Sequence, residues 1–219
     1  MRLHDIKLAD SWTGEVGVAY VDGGGSGFQT PANGGRAEDG FAYRLHVRKD
    51  NFLGGFVTAA IMHGSGAAFS LDSSGTAFAG SNDKRTRFLV HGVVGKSKRL
   101  QHMFTAVHEE IEYDGGFQES YDSIGLRTQY SINENWAIQG EFGFDRWKND
   151  NTDQNILRKF TIAPTYTFGR EGIFSRPQLR AFVTYGSWNR AYANAAQGGI
   201  GGVSATDGMS YGISFETWF

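Results

Sequence analysis

The most constraining feature of this sequence is the alternation in its last stretch, residues 209–219. Met209, Tyr211, Ile213 and Phe215 occupy every second position, and the residues between them, such as Ser214, are small or polar. Successive side chains of a β-strand point to opposite faces, so the pattern predicts a strand with one apolar and one polar face. A strand of this kind with an aromatic end is typical of a sheet whose apolar face contacts lipid.

The same period of two recurs along the chain and predicts an all-β protein. Ten strands are predicted, at 14–21, 41–48, 56–62, 87–94, 100–113, 123–130, 136–147, 156–168, 178–188 and 209–219. Residues 1–12 fit either the end of a preceding strand or a loop. Connections after the second, fourth, sixth and eighth strands are short, whereas those after the first, third and ninth are long. This sorting of connections by end is typical of bacterial outer-membrane barrels, so we predict an antiparallel transmembrane β-barrel.

Composition narrows the possible functions. The formal net charge of -2 gives no basic surface for nucleic acid, and the absence of cysteine excludes disulfides and thiolate metal sites. The histidines show no metal-binding spacing and no serine lies in a Gly-x-Ser-x-Gly motif, so no enzyme, metal or cofactor is expected. The mean hydropathy of -0.38 does not argue against a barrel, whose strands need an apolar residue only at alternate positions. The first residues are not a signal peptide, so either the signal has been removed or a longer chain is expected.

Several motifs share their order with one known family. Ile173-Phe-Ser-Arg-Pro-Gln-Leu-Arg-Ala-Phe-Val-Thr-Tyr resembles a Trp-Ser-Arg-Pro-Ala-x-Arg-x-Phe-x-Thr-Tyr segment, and Tyr211-Gly-Ile-Ser-Phe-Glu-Thr-Trp-Phe resembles an aromatic-Gly-x-x-x-Glu-x-Trp-aromatic terminus. Phe41-Ala-Tyr-Arg-Leu, Ile124-Gly-Leu-Arg and Gly140-Glu-Phe-Gly-Phe-Asp match upstream. These segments resemble the maltoporin-type (LamB-like) sugar porins of the Gram-negative outer membrane. The resemblance implies a homotrimer of barrels with roughly eighteen strands. Residues 1–219 would then form a single barrel domain, the carboxy-terminal part, incomplete on its amino-terminal side.

The resemblance also implies passive diffusion of maltodextrin-like oligosaccharides. In such a channel an aromatic slide offers flat apolar surface to sugar rings, while a polar track exchanges hydrogen bonds with hydroxyl groups. The expected slide residues are Trp218, Tyr166 and Phe182. The expected polar track comprises Arg44, Arg127, Arg180, Glu141, Asp145 and Glu216.

Each residue assigned to the aromatic slide has an alternative role. The alternative for Trp218 is the aromatic girdle at the membrane boundary, and the alternative for Phe182 is packing beneath a loop. Tyr166 shares its row with Ile162 and Phe168, so it faces the polar side only if a bulge reverses the strand. At the level of the whole protein, the alternatives are a general diffusion porin without sugar specificity and a non-conducting part of a barrel.

Overall fold

The described part of the chain forms one antiparallel sheet of eleven strands, each paired with its neighbours in sequence. The computed structural model describes residues 1–23, 38–71, 79–80, 82–168, 172–191 and 205–217. The strands are β1 (Arg2–Ala9), β2 (Trp12–Val21), β3 (Gly40–Phe52), β4 (Gly55–Ser65), β5 (Lys84–Ser97), β6 (Leu100–Glu112), β7 (Gln118–Ser131), β8 (Trp136–Asn149), β9 (Thr152–Thr167), β10 (Gln178–Trp188) and β11 (Asp207–Glu216). A short 3-10 helix, Gly66–Ala68, follows β4. No helix among these residues is long and apolar enough to cross a membrane.

The ten predicted strands correspond to β2 through β11, and β1 is additional. Asp5 has a positive φ of 56°, and the register of β1 against β2 shifts between Leu3 and Ile6. The register shift lies where the spacing of the apolar residues Leu3, Ile6 and Leu8 is unequal. A bulge of this kind breaks the period of two, which is why the sequence pattern did not predict the strand.

The two faces of the sheet differ in chemistry, as the alternation predicted. One face, the apolar face, exposes large hydrophobic side chains, among them Leu45, Ile124, Phe160 and Ile213. The opposite, polar face carries the ion pairs and buried glutamines described below. An exposed apolar face of this extent needs a non-aqueous environment. The all-β fold with one lipid-facing surface is confirmed.

The connections differ in length between the two ends of the sheet. Residues 53–54, 98–99 and 132–135 form short turns at one end, which we call the turn end. The strands that flank the connections 22–39, 66–83 and 189–206 meet these connections at the opposite end, the loop end. Two connections at the loop end are short, residues 113–117 and residues 150–151, the second because β8 and β9 extend further than predicted. The connection 168–177 is the longest at the turn end.

Close contacts fix the start of β3 at the loop end. Gly40 lies against the 3-10 helix, and an added Cβ would overlap the carbonyl oxygen of Ser65. The neighbouring Asp39 accepts a hydrogen bond from the Tyr20 hydroxyl (2.6 Å) and another from the Gly23 N–H (3.0 Å). These two bonds, the one from Tyr20 foremost, lower the pKa of Asp39 from its ordinary value.

Candidate solute-binding site on the polar face

Five charged side chains form a continuous network near the turn end. Arg127 on β7 donates to Glu141 on β8 at 2.8 Å. Arg180 on β10 reaches the same carboxylate at 3.3 Å and that of Glu216 on β11 at 3.6 Å. Glu216 also pairs with Arg176 at 2.9 Å. The alternation of sign gives every charge an opposite neighbour, so this surface offers both donors and acceptors to a solute.

Short side chains on β9 allow the strands on either side of it to meet. Ala163 lies opposite Gln139 of β8, and Thr165 lies opposite Arg180 of β10. Both β9 residues are buried. Because these side chains are short, the long side chain of Arg180 crosses β9 and reaches Glu141, two strands away. The network therefore depends on small residues between the charged ones.

A buried layer of glutamines lies beside the charges. Gln139 donates to the side-chain oxygen of Gln129 at 2.8 Å and to that of Gln178 at 3.5 Å. Arg180 donates in turn to the Gln139 oxygen at 3.3 Å. All three glutamines have at most 1 % of their surface exposed. A buried amide with hydrogen-bond partners holds its neighbours in place, so this layer fixes the position of Arg180.

Residues 172–177, which precede β10, lie against the polar face; we call them the inward segment. Ile173 is completely buried and donates its backbone N–H to the Gln101 side chain of β6 at 2.9 Å. The Arg176 guanidinium donates to the carbonyls of Ile173 (3.2 Å) and Ser175 (2.7 Å), and its side chain is only 5 % exposed. Arg176 thus connects the inward segment to the charged network through Glu216.

A cavity of about 950 Å³ opens above this arrangement, and we call it the central cavity. Its lining reaches from Phe56 on β4 to Ser210 on β11, which shows that the sheet curves around its polar face. Phe174 of the inward segment also lines it, with 49 % of the residue exposed. The central cavity therefore combines an aromatic ring with the Arg127–Glu141 ion pair on one surface.

The predicted polar-track residues fall into three groups. Arg127, Arg180, Glu141 and Glu216 come together in the charged network. Arg44 lies on the same face but pairs with Glu15, which is also bound by Arg2. Asp145 accepts a hydrogen bond from the Tyr121 hydroxyl at 2.9 Å, nearer the loop end. The structure therefore unites four of the six residues and leaves Arg44 and Asp145 in separate contacts.

The predicted slide residues are not gathered in one place. Tyr166 lies on the apolar face, with its ring 5.1 Å from Trp136 and 5.1 Å from Phe168. The register between β9 and β10 does not shift along their length, so no bulge reverses the direction of Tyr166. The structure therefore contradicts the assignment of Tyr166 to the sugar slide and groups its ring with those of Trp136 and Phe168 on the apolar face. Phe182 lies on the polar face beside Gly212, and Trp218 lies outside the described residues.

Like Phe56 of β4, Phe174 is an aromatic residue of the central cavity that the sequence analysis did not select. It stands in a connection, where no strand alternation indicates the direction of a side chain. The signal that could have identified it was the motif, because Phe174 occupies the position of the tryptophan in Trp-Ser-Arg-Pro. The buried glutamines were missed for a different reason, since polar residues on a polar face look solvated in sequence.

Comparison with known proteins supports this description of the fold. The chain is similar to two solved forms of OmpT, an outer membrane protein of Vibrio cholerae. It is 13% identical to the loop L8 deletion mutant over 94% of this chain and 58% of that one, with a TM-score of 0.53. It is 15% identical to the in-vitro folded protein over 83% and 51%, with a TM-score of 0.51. The chain thus spans somewhat more than half the length of these outer-membrane barrels.

The family comparison covers the whole sequence. The sequence model of the LamB porin family matches residues 1–219. This match agrees with the lipid-facing sheet, the difference between its two ends and the charged polar face. The chain belongs to the LamB porin family of bacterial outer-membrane proteins.

Proposed function

We propose that the protein containing this chain is a passive, non-enzymatic channel for maltodextrin-like oligosaccharides across the outer membrane. The observation that carries the proposal is the central cavity, in which Phe174 stands in the same space as the Arg127–Glu141 pair. A sugar ring has flat C–H patches and a rim of hydroxyl groups, so it needs an aromatic surface and charged hydrogen-bonding groups together. Membership of the LamB porin family supports the same conclusion.

The polar track in this proposal is the charged network rather than all six predicted residues. Each of its carboxylates already accepts from an arginine, so a sugar hydroxyl exchanges with existing hydrogen bonds instead of burying a free charge. Such exchange keeps binding weak enough for release, which conduction requires. Phe182 and Trp218 remain proposed slide residues, and a homotrimer remains the proposed assembly.

The competing function is a general diffusion porin whose charges only set ion preference. The two functions are separated by single-channel current through the full-length protein in planar bilayers, with and without maltodextrins. We expect a sugar channel to show a saturable block. Phe174→Ala should raise the half-blocking concentration roughly fivefold, corresponding to about 1 kcal/mol of lost stacking. Tyr166→Ala is the matched control on the apolar face and should leave the block unchanged.

Two results would refute the proposal. Current that sugar never interrupts would favour the general diffusion porin. An equal effect of both substitutions would remove Phe174 from the binding surface, because only one of these rings lies in the central cavity.

A further inference from the structure

The wall of the central cavity changes chemistry along a single cross-strand row. Val93 of β5 lies opposite Phe56 of β4 on one side and Met103 of β6 on the other. The row continues from Met103 to Arg127 of β7 and then to Glu141 of β8. The row is therefore apolar from β4 to β6 and charged at β7 and β8.

The polar part of the row extends further along the sheet. Glu141 lies opposite Thr161 of β9, which in turn lies opposite Thr184 of β10. The two threonine hydroxyls are 2.6 Å apart and hydrogen-bonded. From β7 to β10, every member of the row can therefore donate or accept a hydrogen bond.

The apolar part of the cavity wall contains one side chain that is held in place, Phe56, and one that is flexible, Met103. The ring of Phe56 is covered by the Arg48 guanidinium at 3.8 Å, and His91 meets it edge-on at 6.2 Å. Met103 is half-buried and lines the central cavity with an unbranched thioether side chain. A fixed aromatic ring and a flexible methionine, separated in the row by Val93, suit contact with a flat apolar group.

An unsubstituted saccharide would use only half of this wall. Hydroxyl groups placed against the ring of Phe56 or the side chain of Met103 would lose hydrogen bonds to water, and neither of these two side chains donates one in return. A solute with a sugar at one end and a flat apolar group at the other would satisfy both halves at once. The junction between Met103 and Arg127 would then lie near the link between the two parts.

We propose that this channel takes glycosides that carry an aromatic aglycone in preference to the corresponding free saccharides. The sugar contacts the side formed by Arg127, Glu141 and the threonines, and the aromatic group contacts Phe56 and Met103. The inference rests on the proposed function and adds a substrate class to it.

The test compares a disaccharide with its phenyl glycoside, for example maltose with phenyl maltoside, on the full-length protein in planar bilayers. We expect the phenyl form to block at a roughly tenfold lower concentration, as partial burial of one phenyl ring allows. Met103→Thr should bring the ratio of the two half-blocking concentrations close to one while maltose still blocks. Met103→Leu, which keeps the apolar surface, should retain the ratio.

A matched control and three outcomes complete the test. Met62→Thr makes the same change on the same face but outside the lining of the central cavity, and it should not alter the ratio. Equal block by maltose and phenyl maltoside in the unmodified protein overturns this inference alone. A ratio that survives Met103→Thr also overturns it. Absence of block by either compound overturns the proposed function and this inference together.

Discussion

Replacing Glu216 by glutamine tests the charged network directly. The substitution keeps the shape of the side chain and removes the one negative charge that Arg176 and Arg180 share. Arg180 retains Glu141 at 3.3 Å, whereas Arg176 loses its 2.9 Å contact with a charged carboxylate. The main consequence therefore falls on Arg176, which holds the inward segment through two backbone carbonyls.

The expected loss of stability follows from how deeply the Arg176 and Glu216 side chains are buried. Removing one member of a fully buried ion pair costs about 3–5 kcal/mol, because the other charge is left uncompensated. The Arg176 side chain is 5 % exposed, but that of Glu216 is 33 % exposed, so water screens part of the pair. We expect Glu216→Gln to lower the free energy of unfolding by about 2 kcal/mol.

The assay is denaturant unfolding of the full-length protein in detergent micelles, followed by tryptophan fluorescence. Glu112→Gln is the matched control, because Glu112 is exposed and forms no ion pair among the described residues. The double variant Arg176→Met, Glu216→Met should recover part of the loss, since it removes both charges together. A Glu216→Gln variant as stable as Glu112→Gln would refute the reasoning.

Two further predictions concern the loop end. Gly40→Ala should prevent folding of the loop end, whereas Gly140→Ala should be tolerated, because an added Cβ at Gly140 meets nothing within 4 Å. The measurement is the resistance of each variant to protease. Equal resistance of the two variants would contradict the prediction. The lowered pKa of Asp39 implies a contribution to stability that is present at neutral pH and is lost as the pH falls through the folded-state pKa. Tyr20→Phe removes the main cause and should raise the Asp39 pKa, measured by carbon NMR of the carboxyl group; an unchanged value would show that the hydroxyl has no such effect.

Strand identity could be predicted from sequence because the lipid-facing row is marked by residue type. The same alternation identified the face of Tyr166 more accurately than its position in the family motif did. Row parity placed that ring with Ile162, and the continuous register leaves it there. The alternating pattern did not predict β1, in which the positive φ of Asp5 interrupts the regular strand backbone.

The site was less predictable because it depends on contacts between strands. Sequence places Arg180 and Glu141 on one face, but their contact requires short side chains on the strand between them, such as Ala163. Phe174 was missed because residues in a connection have no period that fixes their direction. Residues that meet through the curvature of the sheet, such as Ile173 and Gln101, carry no local signal at all.

The sequential order of the strands has a consequence for assembly. Every strand pairs with the strand before or after it in the chain, so each pairing closes a loop no longer than one connection. The entropy cost of loop closure is low for such contacts, and none of the pairings among the eleven described strands must wait for a distant part of the chain. The sheet can therefore be built by successive addition of hairpins, and a fault in one strand would interrupt its growth at that point while the hairpins already formed stay intact.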